Sequence, residues 1–300
     1  MKLIRVIRDN LNRLMIVERL RRAQYFFREA LVFDSSQDVI NAYWWEKENL
    51  KNFGDMLTPY LIEKLSGKKA RLVNRYCIKP YYIVVGSVIR KANKHAIIWG
   101  AGIQSRGENI KKPNKILAVR GPHTRDRLLE LGYDCEEIYG DPAVLLPDIY
   151  QPKSEKGCRL GIIPHYVDYQ TLVDNIDDKS IKIIDVLQPV EDVIEQIVKC
   201  ERTISSSLHG LIVSHAYKIP SIWVEFSDGV TGGGTKFADY LMSVRLPAYS
   251  PIDLRRKAQS GELSGESILD LFDKMPNSIM PEEGRIKELA AGLMSKCPFK

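Results

Sequence analysis

The sequence predicts an α/β protein built as two doubly wound domains, and three observations carry that prediction. Short β-branched runs alternate with helical patterns in two separate series. A polar stretch with two prolines, 147–157, lies between the series. The 300 residues exceed the usual single-core size and suit two units of roughly 100–150 residues each.

In the first series, Thr58-Pro59 marks a helix start, with a threonine cap and proline at the first position. Strand patterns follow at 82–89, 96–102 and 116–120, and a helix at 124–131. The second series opens with strands at 159–164 and 181–185. A helix comes next, whose Val190, Val193, Ile194, Ile197 and Val198 share one face. A strand at Thr203-Ile204, a helix carrying His209, a strand at 221–224 and a helix around 237–241 complete it. The expected division is a basic amphipathic segment 1–30, a first domain 31–148, a linker 149–157 and a second domain 158–300 with a helical tail.

Composition is that of a globular chain, 44% hydrophobic and 27% charged. The five cysteines are scattered without a C-x-x-C pair, which argues against a disulfide framework or zinc knuckle and for reduced thiols in the cytoplasm. Of the net charge of +6, residues 1–30 hold +5, from eight basic and three acidic side chains. Leu3, Ile7, Leu11, Leu14 and Met15 recur there at helical spacing. Such a helix fits an anionic leaflet, here the inner face of the cytoplasmic membrane, or packs one face on the body. No apolar run is long enough for a membrane span, and no basic-aromatic signature points to nucleic acid.

The segment 201–225 is the most informative. Its strand, serine-rich turn, helix and strand place Ser205, Ser206 and Ser207 at a helix start and Leu208, His209 and Gly210 in the first turn. Free N–H groups and the helix dipole make that point an anion site, where an imidazole binds phosphate or moves a proton. Other candidate groups are Asn52 and Asp55 on a loop before the first helix, and Arg120 between a strand and a helix. His165 closes the first strand of the second series, and Lys236 ends a glycine-rich loop. Bland readings stand beside these. His209 caps its own helix through Ser205, Arg120 pairs with Asp126 or Glu130, Asp55 caps a helix, and Asp141 forms a turn before Pro142. His215 is expected to be a packed residue, because it lies about 240° round the helix from His209.

Taken in order, Asn52-Phe-Gly-Asp55, Trp99-Gly-Ala-Gly102, Val119-Arg-Gly121 with Thr124, Gly140-Asp-Pro-Ala143, Ser205-Ser-Ser-Leu-His-Gly210 and Lys236-Phe-x-Asp-Tyr240 resemble the bacterial polysaccharide pyruvyltransferases. The resemblance runs from about Asn52 to Val244. It implies two Rossmann-like domains facing across a cleft, GT-B-like. It also implies transfer of pyruvate from phosphoenolpyruvate to two hydroxyls of a sugar, as a cyclic ketal, on a surface polysaccharide or its lipid-linked precursor. Donor contacts map onto Arg120, Leu208 and His209. Many members carry arginine immediately before the Leu-His pair, where this chain has Ser207, and Lys236 or the serine hydroxyls are the candidates to compensate. Asp55, Asn52 and His165 are expected to orient acceptor hydroxyls. The implied chemistry requires neither metal nor cofactor beyond the donor. The alternatives are a GT-B-type glycosyltransferase using a nucleotide sugar, with Glu225 as the acid on its ribose, and a non-catalytic anion-binding relative at the membrane.

Overall fold

The computed structural model describes residues 38–300 other than 47–49, 154, 231, 233 and 276–278, together with Leu20 and Ala23. The basic segment 1–30 thus lies outside the described residues, apart from those two.

Two all-parallel five-stranded sheets form the frame. The first contains β1 (Val39–Tyr43), β2 (Lys69–Leu72), β3 (Tyr81–Ile83), β4 (Ala96–Trp99) and β5 (Lys115–Ala118), in the order β2-β1-β3-β4-β5. Helix α1 (Phe53–Ser66) joins β1 to β2, and α2 (Pro122–Glu130) follows β5. A single bridge between Val119 and Tyr139 extends this sheet beyond β5. A 3-10 turn, Pro142–Leu145, runs into the short α3 (Leu146–Ile149).

The second sheet contains β6 (Cys158–Ile163), β7 (Ile181–Ile183), β8 (Cys200–Ser205), β9 (Ser221–Glu225) and β10 (Ile252–Asp253), in the order β10-β9-β8-β6-β7. Its helices are α4 (Tyr169–Asn175), α5 (Val190–Val198), α6 (Leu208–Ala216), α7 (Thr235–Ser243), α8 (Arg255–Ser260) and α9 (Gly265–Lys274). The last helix, α10 (Arg285–Ser295), returns to the first half, where the Leu293 carbonyl accepts the Trp99 indole N–H at 3.0 Å.

Parallel strands need covered faces, so their residues read as near-continuous apolar runs. Ile162, Ile163, Ile204, Ile222 and Val224 are all buried. One apolar core is shared by the two halves. Phe53, Leu57 and Leu61 of α1 and Trp99 of β4 belong to the same cluster as Leu211 and Ile212 of α6. A second core lies within the first half, around Tyr81, Ile83 and Ile98, and a third within the second, around Leu160, Ile222 and Phe272.

The start of α1 departs from the sequence expectation. The helix begins at Phe53, where Asp55 N–H and Met56 N–H both close on the Asn52 carbonyl at 3.0 Å. Pro59 sits inside it, and the Thr58 hydroxyl accepts Val85 N–H at 3.2 Å instead of capping. Burial of Phe53, Leu57, Leu61 and Ile62 outweighs the bond that Pro59 removes. The 82–89 pattern is also shorter as a strand than expected, ending at Ile83 and reaching a 3-10 turn at Ile89–Lys91.

Candidate active site

The C-terminal ends of β6 and β8 adjoin at the point where strand order reverses, the place where open α/β sheets bind ligands. Ser205 ends β8, and its hydroxyl spans the Ile163 and Ser207 carbonyls at 2.8 Å each. It is therefore committed to the turn, and His209 makes no bond to it. Ser206 points across to β6. Its hydroxyl accepts His165 N–H at 2.8 Å and donates to Asp168 at 3.0 Å. Asp168 is buried and also takes the Ser227 hydroxyl.

Ser207 occupies the N-cap position of α6 in extended conformation, without a side-chain cap bond. The helix closes first from Leu211 N–H to the Ser207 carbonyl, 3.2 Å. Backbone N–H groups of Leu208, His209 and Gly210 precede that bond and have no intrahelical acceptor. Gly210 lets α6 begin this close to the sheet, since a Cβ there would meet Ser205 Oγ at 2.4 Å.

The His209 imidazole reaches from the second half into the first. Its Nε2 faces Asp141 Oδ2 at 3.6 Å, and a Cβ on Gly54 would fall 2.0 Å from its Nδ1. Asp141 is indeed a turn former, because its Oδ1 accepts Ala143 N–H at 3.1 Å and opens the 3-10 turn.

Asp55 lies one residue after Gly54, in the first turn of α1, and takes the Asn52 amide at 2.9 Å. Burial raises its carboxyl above the ordinary range, against lowering pulls from the Asn52 bond, His209 and Lys236. Lys236 sits in the first turn of α7, not in a loop. Burial lowers its ammonium to about 8, assisted by Arg120 and opposed by Asp55. Burial, then Lys236, lowers His165 to about 4, so this imidazole is neutral at physiological pH. Asp55 thus lies within electrostatic reach of His209 and Lys236, and Lys236 of His165; the raised Asp55 and the lowered Lys236 and His165 mark a group suited to proton transfer.

Arg120, onto which the resemblance maps a donor contact, is taken up by protein partners. It is fully buried, with Nε to Asp239 at 3.0 Å, one terminal nitrogen to Ser87 Oγ at 2.7 Å and the other to the Ile103 carbonyl at 2.6 Å. Neither Asp126 nor Glu130 is its partner. Asp239 also accepts Thr124 N–H at 3.0 Å and the Thr124 hydroxyl at 2.7 Å, tying α7 to α2. Arg120 therefore forms a wall, paired with Asp239, whose charge still bears on Lys236. Ser87, Asp168 and Asp239 are polar residues to which sequence reasoning gave no role, Asp239 having entered it only as part of the Lys236–Tyr240 motif. Asp239 had a signal, standing three residues after Lys236 on the same helical face. His215 is packed, with Nδ1 3.0 Å from the Tyr240 hydroxyl.

A separate opening of about 500 Å³ lies beside the start of α7, lined by Arg106, His123, Trp223, Glu225, Tyr249 and Arg255 among others. Asp55, His209 and Lys236 do not line it. Among the described residues no cluster of three or more His, Cys, Asp or Glu side chains is placed for a metal ion, and no helix is long and apolar enough to cross a membrane.

Parallel sheets with an uncapped helix start and acid–base groups near the β6–β8 switch point suit a group-transfer enzyme of the α/β class. Residues 23–228 match the polysaccharide pyruvyl transferase family. The chain belongs to that family, and is a transferase whose acceptor is a polysaccharide. It is 34% identical over 201 residues to an uncharacterized protein of Acanthamoeba polyphaga mimivirus, covering 63% of this chain and 70% of the relative. It is 24% identical over 232 residues to the succinoglycan biosynthesis protein ExoV of Rhizobium meliloti, covering 72% of this chain and 69% of that protein. No solved structure matches significantly.

Proposed function

We propose that the protein transfers pyruvate from phosphoenolpyruvate to two hydroxyls of one sugar in a surface polysaccharide or its lipid-linked precursor, forming a cyclic ketal. The observation carrying this reading is the uncapped first turn of α6 bearing His209, with Asp55 within electrostatic reach of both His209 and Lys236. Two cationic or protonatable groups and a row of N–H donors suit a donor bearing both phosphate and carboxylate. Two such sheets meeting at a shared junction support a GT-B-like arrangement.

In the proposed reaction a proton goes to the methylene carbon of the donor and C2 becomes oxocarbenium-like. The first sugar hydroxyl bonds to C2 and gives up its proton. The C2–O bond to phosphate then breaks, phosphate leaves carrying a proton, and the second hydroxyl closes the ketal with loss of its own proton. His209 holds the phosphate and moves protons, and Lys236 anchors an anionic group. Asp55, with Asn52 and neutral His165, receives acceptor hydroxyls. Ser207 and the first-turn N–H groups take the place of the arginine found in many members. Arg120 acts as the wall behind Lys236. It reaches the donor directly only if its Asp239 pair reorganises.

The basic segment 1–30 is assigned to the inner leaflet, where a lipid-linked acceptor would be displayed. Vesicle sedimentation of the full chain, with and without anionic lipid, tests this part alone.

Calorimetric titration with phosphoenolpyruvate, with UDP and CMP as competitors, tests the main reading. Binding that is lost in H209A and K236M and indifferent to nucleotides supports it. The glycosyltransferase reading keeps one specific observation, Glu225 on the wall of the 500 Å³ opening. Nucleotide binding abolished by E225Q, without phosphoenolpyruvate binding, would replace pyruvyl transfer with it.

A further inference from the structure

Asp141 Oδ2 and His209 Nε2 are both buried, and among the described residues both lack a hydrogen-bond partner. They face each other at 3.6 Å. Buried polar atoms are rarely left unpaired, so two that point at one another are best explained as a pair. The separation is beyond hydrogen-bond length, and such contacts in ligand-free sites commonly tighten when substrate binds.

We propose that Asp141 is a positioning residue for His209, holding the imidazole in the tautomer with its proton on Nε2 and its Nδ1 unprotonated on the Gly54 side. This rests on the catalytic reading of His209 given above. The two ring nitrogens are distinct, and the partner of one decides what the other can do. With Nε2–H donating to the carboxylate, Nδ1 is the nitrogen that accepts a proton or, once protonated, donates to a phosphate oxygen. The carboxylate behind the ring orients it, as the third residue does in catalytic triads.

The element that carries Asp141 explains why it can serve. Its Oδ1 is occupied by Ala143 N–H, so the turn fixes the carboxylate in place and leaves Oδ2 for the histidine. Asp141 is fully buried and comes from the first half, whereas His209 belongs to the second. Gly54, also from the first half, touches the other side of the ring. The imidazole is therefore seated against the first half, and its orientation depends on how the halves meet. The other charged groups nearby are Asp55, which feels His209 electrostatically, and Lys236 beyond Asp55.

Asn at position 141 separates the two duties of the carboxylate. Its amide oxygen can keep the Ala143 bond, while its NH₂ faces Nε2 and demands an acceptor there. The Asp141→Asn variant should thus invert the tautomer and move the proton to Nδ1, with the turn preserved.

The test uses the full chain labelled with ring-¹⁵N histidine. The protein has only five histidines, and His209 is assigned by the signal missing from H209Q. The expected result is a wild-type His209 with Nε2 protonated, and D141N with Nδ1 protonated at an unchanged melting temperature. Turnover in D141N should fall by roughly 10²–10⁴-fold, the range of a positioned acid–base group, with phosphoenolpyruvate affinity changed far less. D141E, which keeps the charge, should recover part of the turnover. A wild-type ring carrying its proton on Nδ1 overturns the proposal, even if D141N does not fold. So does a D141N ring identical to wild type. A tautomer inverted in D141N, in a protein that does not bind phosphoenolpyruvate, upholds the pairing and removes the pyruvyl-transfer reading instead.

Discussion

Asp239 holds Arg120 through a 3.0 Å contact to Nε, with both side chains fully buried. The same carboxylate takes the backbone and hydroxyl of Thr124, so one residue of α7 organises the start of α2. Breaking a buried pair from one side strands the other charge, at a cost of about 3–5 kcal/mol. Asp239→Ala is expected to lower stability by about that much in urea unfolding. The apolar double variant R120M/D239L should lose less than D239A alone, because no unpaired charge remains. A D239A protein as stable as wild type would show that the pair contributes nothing.

Ser206 links the two strands that flank the site. Removing its hydroxyl leaves the His165 N–H without its acceptor and Asp168 without one of its donors. Ser206→Ala should therefore cost about 1–3 kcal/mol, the penalty of an orphaned buried group. The His165 loop should loosen with it, seen as faster amide exchange at 165–168 by mass spectrometry. Unchanged exchange there would mean that Ser227 alone suffices to hold Asp168.

The parts of the fold that were legible in the sequence are those set by local pattern. The α5 helix occupies residues 190–198 as its apolar spacing indicated, and β8, α6 and β9 follow the strand–turn–helix–strand reading of 201–225. Local pattern failed where a distant group decides. Thr58 looks like a cap, but its hydroxyl serves Val85, and α1 starts where Phe53 N–H reaches the Val186 carbonyl of the other half at 2.7 Å. Lys236 follows glycines and reads as a loop residue, yet α7 already begins at Thr235 because Phe237 and Tyr240 bury inward. Arg120 and Asp239 stand 119 positions apart, and no periodicity connects them. Asp141 and His209 are likewise joined only by the meeting of the two halves. The residue types of the site were readable one by one, and their pairing was not.

Gly54 is required by contact with His209. A Cβ there would lie 2.0 Å from Nδ1 and 2.8 Å from the neighbouring ring carbons, so the ring must move. Gly54→Ala also improves helix propensity in the first turn of α1. It should therefore leave the melting temperature nearly unchanged while turnover drops by about 10²-fold, the usual effect of misplacing a catalytic group by about 1 Å. Loss of stability in parallel with activity would instead make Gly54 a packing residue.

Lys236 gives the site its pH dependence. Its ammonium, lowered to about 8 by burial first and Arg120 second, is charged below that pH and neutral above it. An anion anchored by this charge should bind most tightly below about pH 8 and progressively more weakly above it, approaching tenfold per unit at the limit. Stability runs the other way. The unfolded chain keeps the proton up to the ordinary lysine value of 10.5 while the folded protein releases it near 8, so the contribution of Lys236 to stability rises with pH between those values. Calorimetric titration of phosphoenolpyruvate at intervals across about pH 7–9 reads the first effect, in a range where the donor phosphate is already largely ionised. Lys236→Met should bind weakly throughout and lose the slope, while Lys236→Arg, charged at every pH tested, should bind without it. Wild-type affinity that stays flat across this range would place the donor away from Lys236, and the anion would then rest on the first turn of α6 and His209 alone.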